Sequence, residues 1–103
     1  MGRIEQLQEF ITKVPNDPFP RYGLALEYKN AGRLDEASAA FDTLIAAFPD
    51  YTPAYLHAGN TLVARGKKAE ARALFERGIA ACERKRDGHA RGEIESALAE
   101  LQD

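Results

Sequence analysis

The chain has 103 residues, 45% of them apolar and 29% charged. That suits one soluble globular domain and is too short for a barrel enzyme or a doubly wound nucleotide-binding domain. Its 14 basic and 16 acidic residues leave a net charge of −2, a balance that argues against a dedicated nucleic-acid binder, and a single cysteine, Cys82, excludes an internal disulfide and a cysteine-based zinc site.

The opening stretch from Met1 to Leu7 holds no apolar run of secretory length, and nothing later approaches a membrane span, so a cytoplasmic protein is expected. Residues 3–15 place Leu7, Phe10, Ile11 and Val14 at helical spacing, an amphipathic helix able to cover one end of a core. Asp17-Pro18 opens a second helix, with Asp as N-cap and Pro at the first helical position. That helix carries Leu24, Ala25 and Tyr28 and stops at Gly32, a C-terminal position where a left-handed residue is common. A third helix holds Ala37, Phe41, Leu44, Ile45 and Phe48 and ends at Pro49. Thr52-Pro53 repeats the capping device before a fourth helix with Ala58, Gly59 and Leu62, which stops at Gly66. From Lys67 a fifth helix carries Ala71, Leu74, Phe75, Gly78 and Ile79; with no proline at Glu83 it is expected to run to about Arg86. Residues 88–101 close the chain with Ala90, Ile94, Ala97, Leu98 and Leu101 on one face. No segment alternates in the two-residue period of a strand.

These elements repeat with a lag of 34 residues. Gly32 falls on Gly66, Ala37 on Ala71 and Pro15 on Pro49. Upstream, Leu7, Phe41 and Phe75 align, as do Ile11, Ile45 and Ile79, and Val14, Phe48 and Cys82. Two whole units, 18–51 and 52–85, leave 17 residues before and 18 after, one further unit split between the ends. The last helix fits a lag of about 36, with Arg86-Asp87-Gly88 taking up the difference.

Sites of chemistry are hard to build from this inventory. His57 and His89 have no Cys or acid at ligand spacing and read as exposed structural histidines. Cys82 sits on an apolar stripe and reads as a small buried hydrophobe. No nucleophile–base pair or phosphate loop is present. The chain is therefore expected to be no enzyme, with no catalytic residue, no metal and no cofactor. Residues 65–91 hold nine basic and four acidic side chains, a local excess that suits either a solvated helix end or an anionic partner.

The repeat resembles the tetratricopeptide family, whose 34-residue pattern is W-x2-L-G-x2-Y, then A-x3-F, then P. Unit one reads Arg21-x2-Leu24-Ala25-x2-Tyr28, Ala37-x3-Phe41, Pro49; unit two reads Tyr55-x2-Ala58-Gly59-x2-Leu62, Ala71-x3-Phe75. Arg21 and Glu83 depart from it. The resemblance implies an all-α domain spanning 1–103, with helix-turn-helix repeats stacked as a short right-handed superhelix between a capping helix at 3–15 and another at 88–101. It implies small residues where helices cross, so that Gly59 is expected to accept alanine but not leucine. It also implies a non-catalytic module that binds a peptide or helix of a partner protein in a concave groove. The residues assigned there are Tyr22, Leu26 and Lys29 from the first unit and Leu56, Asn60 and Val63 from the second. A clamp for a partner's C-terminal carboxylate, present in some relatives, lacks its lysine at Leu56 and its asparagine at Leu26. Two alternatives stand beside this reading: a self-assembling protein whose groove or end faces make a homodimer, and, more weakly, an anionic-ligand binder using residues 84–91.

Overall fold

Six helices follow one another in the computed structural model, which describes residues 2–101: α1 (Arg3–Lys13), α2 (Pro18–Asn30), α3 (Leu34–Ala47), α4 (Pro53–Ala64), α5 (Lys68–Lys85) and α6 (Gly88–Glu100). No strand occurs among the described residues. Met1 and the last two residues of the domain expected over 1–103 lie outside them. The first helix stops at Lys13 rather than residue 15. Val14 leaves the helix at φ −129°, ψ 65°, because the ring of Pro15 disfavours helical geometry in the residue before it.

Several helix boundaries follow local chemistry. Asp17 caps α2, its carboxylate accepting from the Phe19 amide at 3.0 Å. Gly32 and Gly66 adopt φ of 76° and 78°. The amides of Arg33 and Lys67 then reach back to the carbonyls of Tyr28 and Leu62, both at 2.9 Å, the paired-bond ending that a left-handed residue permits. Arg86 takes the same left-handed conformation (φ 55°) at the end of α5. Thr52, expected to repeat the Asp17 cap, caps nothing. Its buried hydroxyl instead donates to Asp87 Oδ2 at 2.6 Å. Asp87 Oδ1 meanwhile accepts from the Ala90 amide at 3.1 Å, so one carboxylate caps α6 and ties it to the start of α4.

Each helix packs on its neighbours in sequence; in addition α4 touches both α2 and α6. The first helices of the units thus form one contacting layer, while α1, α3 and α5 do not meet each other. Phe41 and Phe75 are fully buried between the layers. Covering a side chain of that size stabilises by roughly 1.5–3 kcal/mol. Gly59 lets the Phe75 ring lie directly on the α4 backbone, and Gly78 does the same for Tyr55. The Tyr55 hydroxyl donates to the Pro49 carbonyl. Arg21, at the equivalent place in the first unit, has its Nε buried without a hydrogen-bond partner.

The two ends differ. On α6, Ile94 and Leu101 are buried. On α1 only Leu7 is; Ile11 is half-buried, and Phe10 and Val14 are exposed, contrary to the expectation that all four cover the front of the core. The α2 helix reaches one flank of α1, and no first-type helix precedes α1 among the described residues to reach the other.

Candidate functional site

Residues 22, 26 and 29 of α2 and residues 56, 60 and 63 of α4 each follow the i, i+4, i+7 spacing of one helix face. All six are half-buried. Leu26, Leu56 and Val63 rest on a core closed beneath them by Ala25 and Ala58, and the Asn60 amide bonds no protein group among the described residues.

Tyr22 and Lys29 are brought together through a residue that the sequence left aside. His57 is partly buried rather than exposed. Its ring centroid lies 5.9 Å from that of Tyr22, and its Nδ1 lies 3.4 Å from the Lys29 ammonium. An ammonium has only donors to offer, so Nδ1 is the acceptor in that contact. Tyr51, in the turn before α4, stacks edge-on against Tyr22 at 5.5 Å and 66°. Burial, then the charge of Lys29, holds the His57 pKa below its usual value, while Glu93 on α6 pulls the other way. Burial likewise lowers the Lys29 pKa. The Tyr22 pKa is raised by burial first, then by Tyr51 and Glu93.

Glu93 marks the contribution of α6. At the lag of 36 it takes the place of His57, and Gly92, Ser96 and Ala99 take those of Leu56, Asn60 and Val63. All four are exposed, and a Cβ at Gly92 would meet nothing within 4 Å. The face therefore runs from bulky residues on α2 and α4 to small ones on α6. Glu93 could have been found from the lag. Tyr51 could not, because a turn residue carries no periodic signal.

Other candidates resolve into structure. Cys82 is 1% exposed, and burial pushes its thiol pKa up, which disfavours the reactive thiolate. No group of His, Cys, Asp and Glu fit for a metal ion occurs among the described residues, nor does a helix long and apolar enough to cross a membrane. In the basic segment, Arg84 pairs with Asp50 at 2.8 Å, and Arg91 with Glu83 and Glu95 at 3.4 and 3.3 Å.

A sequence model of the tetratricopeptide repeat matches residues 29–81, more than half of the chain. The chain belongs to the tetratricopeptide repeat family. The solution structure of a tetratricopeptide repeat domain protein from Salinibacter ruber is 27% identical and superposes with a TM-score of 0.80, covering 85% of this chain and 89% of that one. A crystal structure of the Salinibacter ruber tetratricopeptide repeat domain protein gives 27% identity and 0.78, covering 82% and 96%. A solution structure of a protein from Bordetella parapertussis is 25% identical with a TM-score of 0.83, over 98% of this chain and 88% of that one. None of the curated proteins compared matches the chain. The tetratricopeptide repeat fold generally mediates protein–protein interaction and is typically non-catalytic.

Proposed function

We propose that this tetratricopeptide repeat protein is a non-catalytic binding module whose α2/α4/α6 face holds a peptide or helix of a partner protein. One observation carries the reading: Tyr22, Leu26, Leu56 and Val63 stay only partly buried on adjoining helices above a core that is already closed. Apolar surface left that way costs solvation until a partner covers it. Lys29 and Asn60 supply polar anchors to such a ligand, Asn60 as both donor and acceptor. The exposed small residues of α6 leave room for its side chains. The anionic-ligand alternative is weaker, since Arg84 and Arg91 already have carboxylate partners.

Selection of binders from a displayed peptide library, followed by Leu56→Glu, tests the reading. The variant is expected to keep its helicity. It should lose roughly tenfold or more in affinity, because a charge would be buried on binding. Selected peptides that bind Leu56→Glu unchanged, and are lost on reversing the charges at 84–86, would move the site to the basic segment.

A further inference from the structure

Arg33, Arg65 and Arg84 meet carboxylates at 2.7, 3.0 and 2.8 Å. Lys29 does not. It is partly buried in the last turn of α2, and its ammonium turns onto the His57 ring of α4, 3.4 Å away. The helix dipole accounts for a cation at that end of α2. It does not account for an ammonium set against a neutral ring, with no carboxylate beside it among the described residues. A cation that gives up water without an anion in exchange is held at a cost, which an incoming anion would remove.

The groups around this pair are donors as well. Nδ1 of His57 accepts from the ammonium, so the neutral ring carries its proton on Nε2. That N–H bonds no protein group among the described residues, and neither does the Tyr22 hydroxyl or the Asn60 amide. Tyr22 lies 5.9 Å from His57, ring to ring, and Asn60 follows one turn along α4 on the same side. A peptide backbone brings donors and acceptors in equal number and leaves such a set incompletely satisfied. A carboxylate only accepts, and suits it. The fixed positive charge is that of one ammonium, with no arginine fork beside it. A phosphate group, with a charge of about −1.5 to −2 and a preference for arginine clusters, is a poorer match. The charges acting on His57 are Lys29 of α2 and Glu93 of α6, and α3 and α5 add none. Its titratable neighbour Tyr22, backed by Tyr51, stays neutral, since burial raises both phenol pKa values. Glu93 is exposed and engages His89 at 3.5 Å, so the cationic part of the face is the α2 side.

We propose, resting on the peptide-binding reading above, that the segment held by this face presents an aspartate or glutamate side chain to Lys29 and His57, between apolar residues that rest on Tyr22, Leu26 and Leu56. Apolar positions continue past the pair in both directions along the helices, Tyr22 and Leu56 towards one end and Val63 towards the other. The bound chain therefore runs through, and the carboxylate comes from a side chain rather than from a terminus. In the free protein, burial and Lys29 keep His57 neutral near pH 7. A carboxylate seated beside the ring favours the imidazolium. Binding then takes up a proton, and affinity rises as pH falls through about 6.5, the ring's ordinary value.

Selection of short random peptides by display on the wild-type protein, at slightly acid pH, tests this. The selected sequences are expected to share an internal Asp or Glu between apolar residues. The strongest is then synthesised as selected, with its acid replaced by the amide, and with an amidated C-terminus. The amide form should bind about tenfold more weakly, having lost a charge-assisted contact, and C-terminal amidation should change nothing. Lys29→Met keeps the packing stem; it should cost the acidic peptide about tenfold and the amide form little, the signature of a direct pair. His57→Gln should remove the rise in affinity between about pH 7.5 and 5.5. Glu93→Gln should tighten the acidic peptide by removing a like charge. Circular dichroism checks that each variant is folded. Peptides that lose binding with Leu56→Glu, yet carry no acid or bind equally well as the amide, overturn this proposal and leave the peptide site standing. Loss of binding on C-terminal amidation alone, or tighter binding with phosphoserine in place of the acid, overturns it as well. A pH dependence that survives His57→Gln overturns proton uptake at the ring. If no selected peptide depends on Leu56, the peptide site itself fails, and this proposal with it.

Discussion

An alanine Cβ at position 59 would stand 2.1 Å from Cε1 of Phe75 and 2.6 Å from its Cδ1 and Cζ. Carbon atoms pack at about 3.5–4.0 Å, so the ring would have to withdraw by roughly 1.4 Å from the 2.1 Å contact. Phe75 is completely buried and has no free space to enter, so α4 and α5 must separate. Overpacking of this kind costs about 1–3 kcal/mol, and a separation this large belongs at or above the top of that range. The better helix propensity of alanine returns at most about 1 kcal/mol. A net loss of about 2 kcal/mol should lower Tm by roughly 10 °C in a domain of this size. This reverses the expectation from the sequence that alanine is accommodated. Urea and thermal unfolding followed by circular dichroism measure it, with two internal controls. Gly92→Ala, where nothing lies within 4 Å, should stabilise by about 0.5–1 kcal/mol. Phe75→Leu should cost less in the Gly59→Ala background than alone, since the smaller side chain relieves the clash. If Gly59→Ala proves as stable as the wild type while Gly92→Ala behaves as stated, the close α4–α5 crossing is wrong.

Phe41→Ala should lose roughly 3–5 kcal/mol in urea unfolding, a large share of the roughly 5–15 kcal/mol of a typical domain; a loss under about 1 kcal/mol would break the repeat register. Thr52→Val keeps the shape and removes the hydroxyl bonded to Asp87, and should cost about 1 kcal/mol; hydrogen exchange should show α6 opening more readily. His57 has a lowered pKa in the fold, so the unfolded chain binds more protons as pH falls through about 6.5, its unperturbed value. Its contribution to stability is present above that pH and declines below it. His57→Gln should flatten the urea midpoint between about pH 5 and 6.5; an unchanged slope would mean the ring is not desolvated.

Much of this architecture is written periodically and can be read that way. The lag of 34 places Phe41, Phe75, Ala37 and Ala71, and Gly32 and Gly66 stop their helices, because each acts within its own helix or against the next one. The candidate face was legible to the same extent: residues 22, 26 and 29 and their counterparts 56, 60 and 63 do share the half-exposed surfaces of α2 and α4. What escaped is aperiodic. The Thr52–Asp87 bond joins two loops 35 residues apart and turns an apparent N-cap into a tie between helices. His57 reads as a lone exposed ring until α2 brings Lys29 and Tyr22 to it. The intolerance at Gly59 depends on how the Phe75 ring lies, which spacing does not encode. Phe10 and Val14 have the spacing of core residues yet are exposed, because among the described residues no first-type helix precedes α1, and no spacing within α1 encodes that.

The unequal anchoring of the six helices has a kinetic side. A chain whose helices touch mainly their sequence neighbours opens segment by segment, starting where the fewest side chains hold. Leu7 is the one buried residue of α1, against six in α5. Amide protons of α1 should therefore exchange through a local fraying that leaves α4 and α5 protected, and theirs only through unfolding of the whole stack.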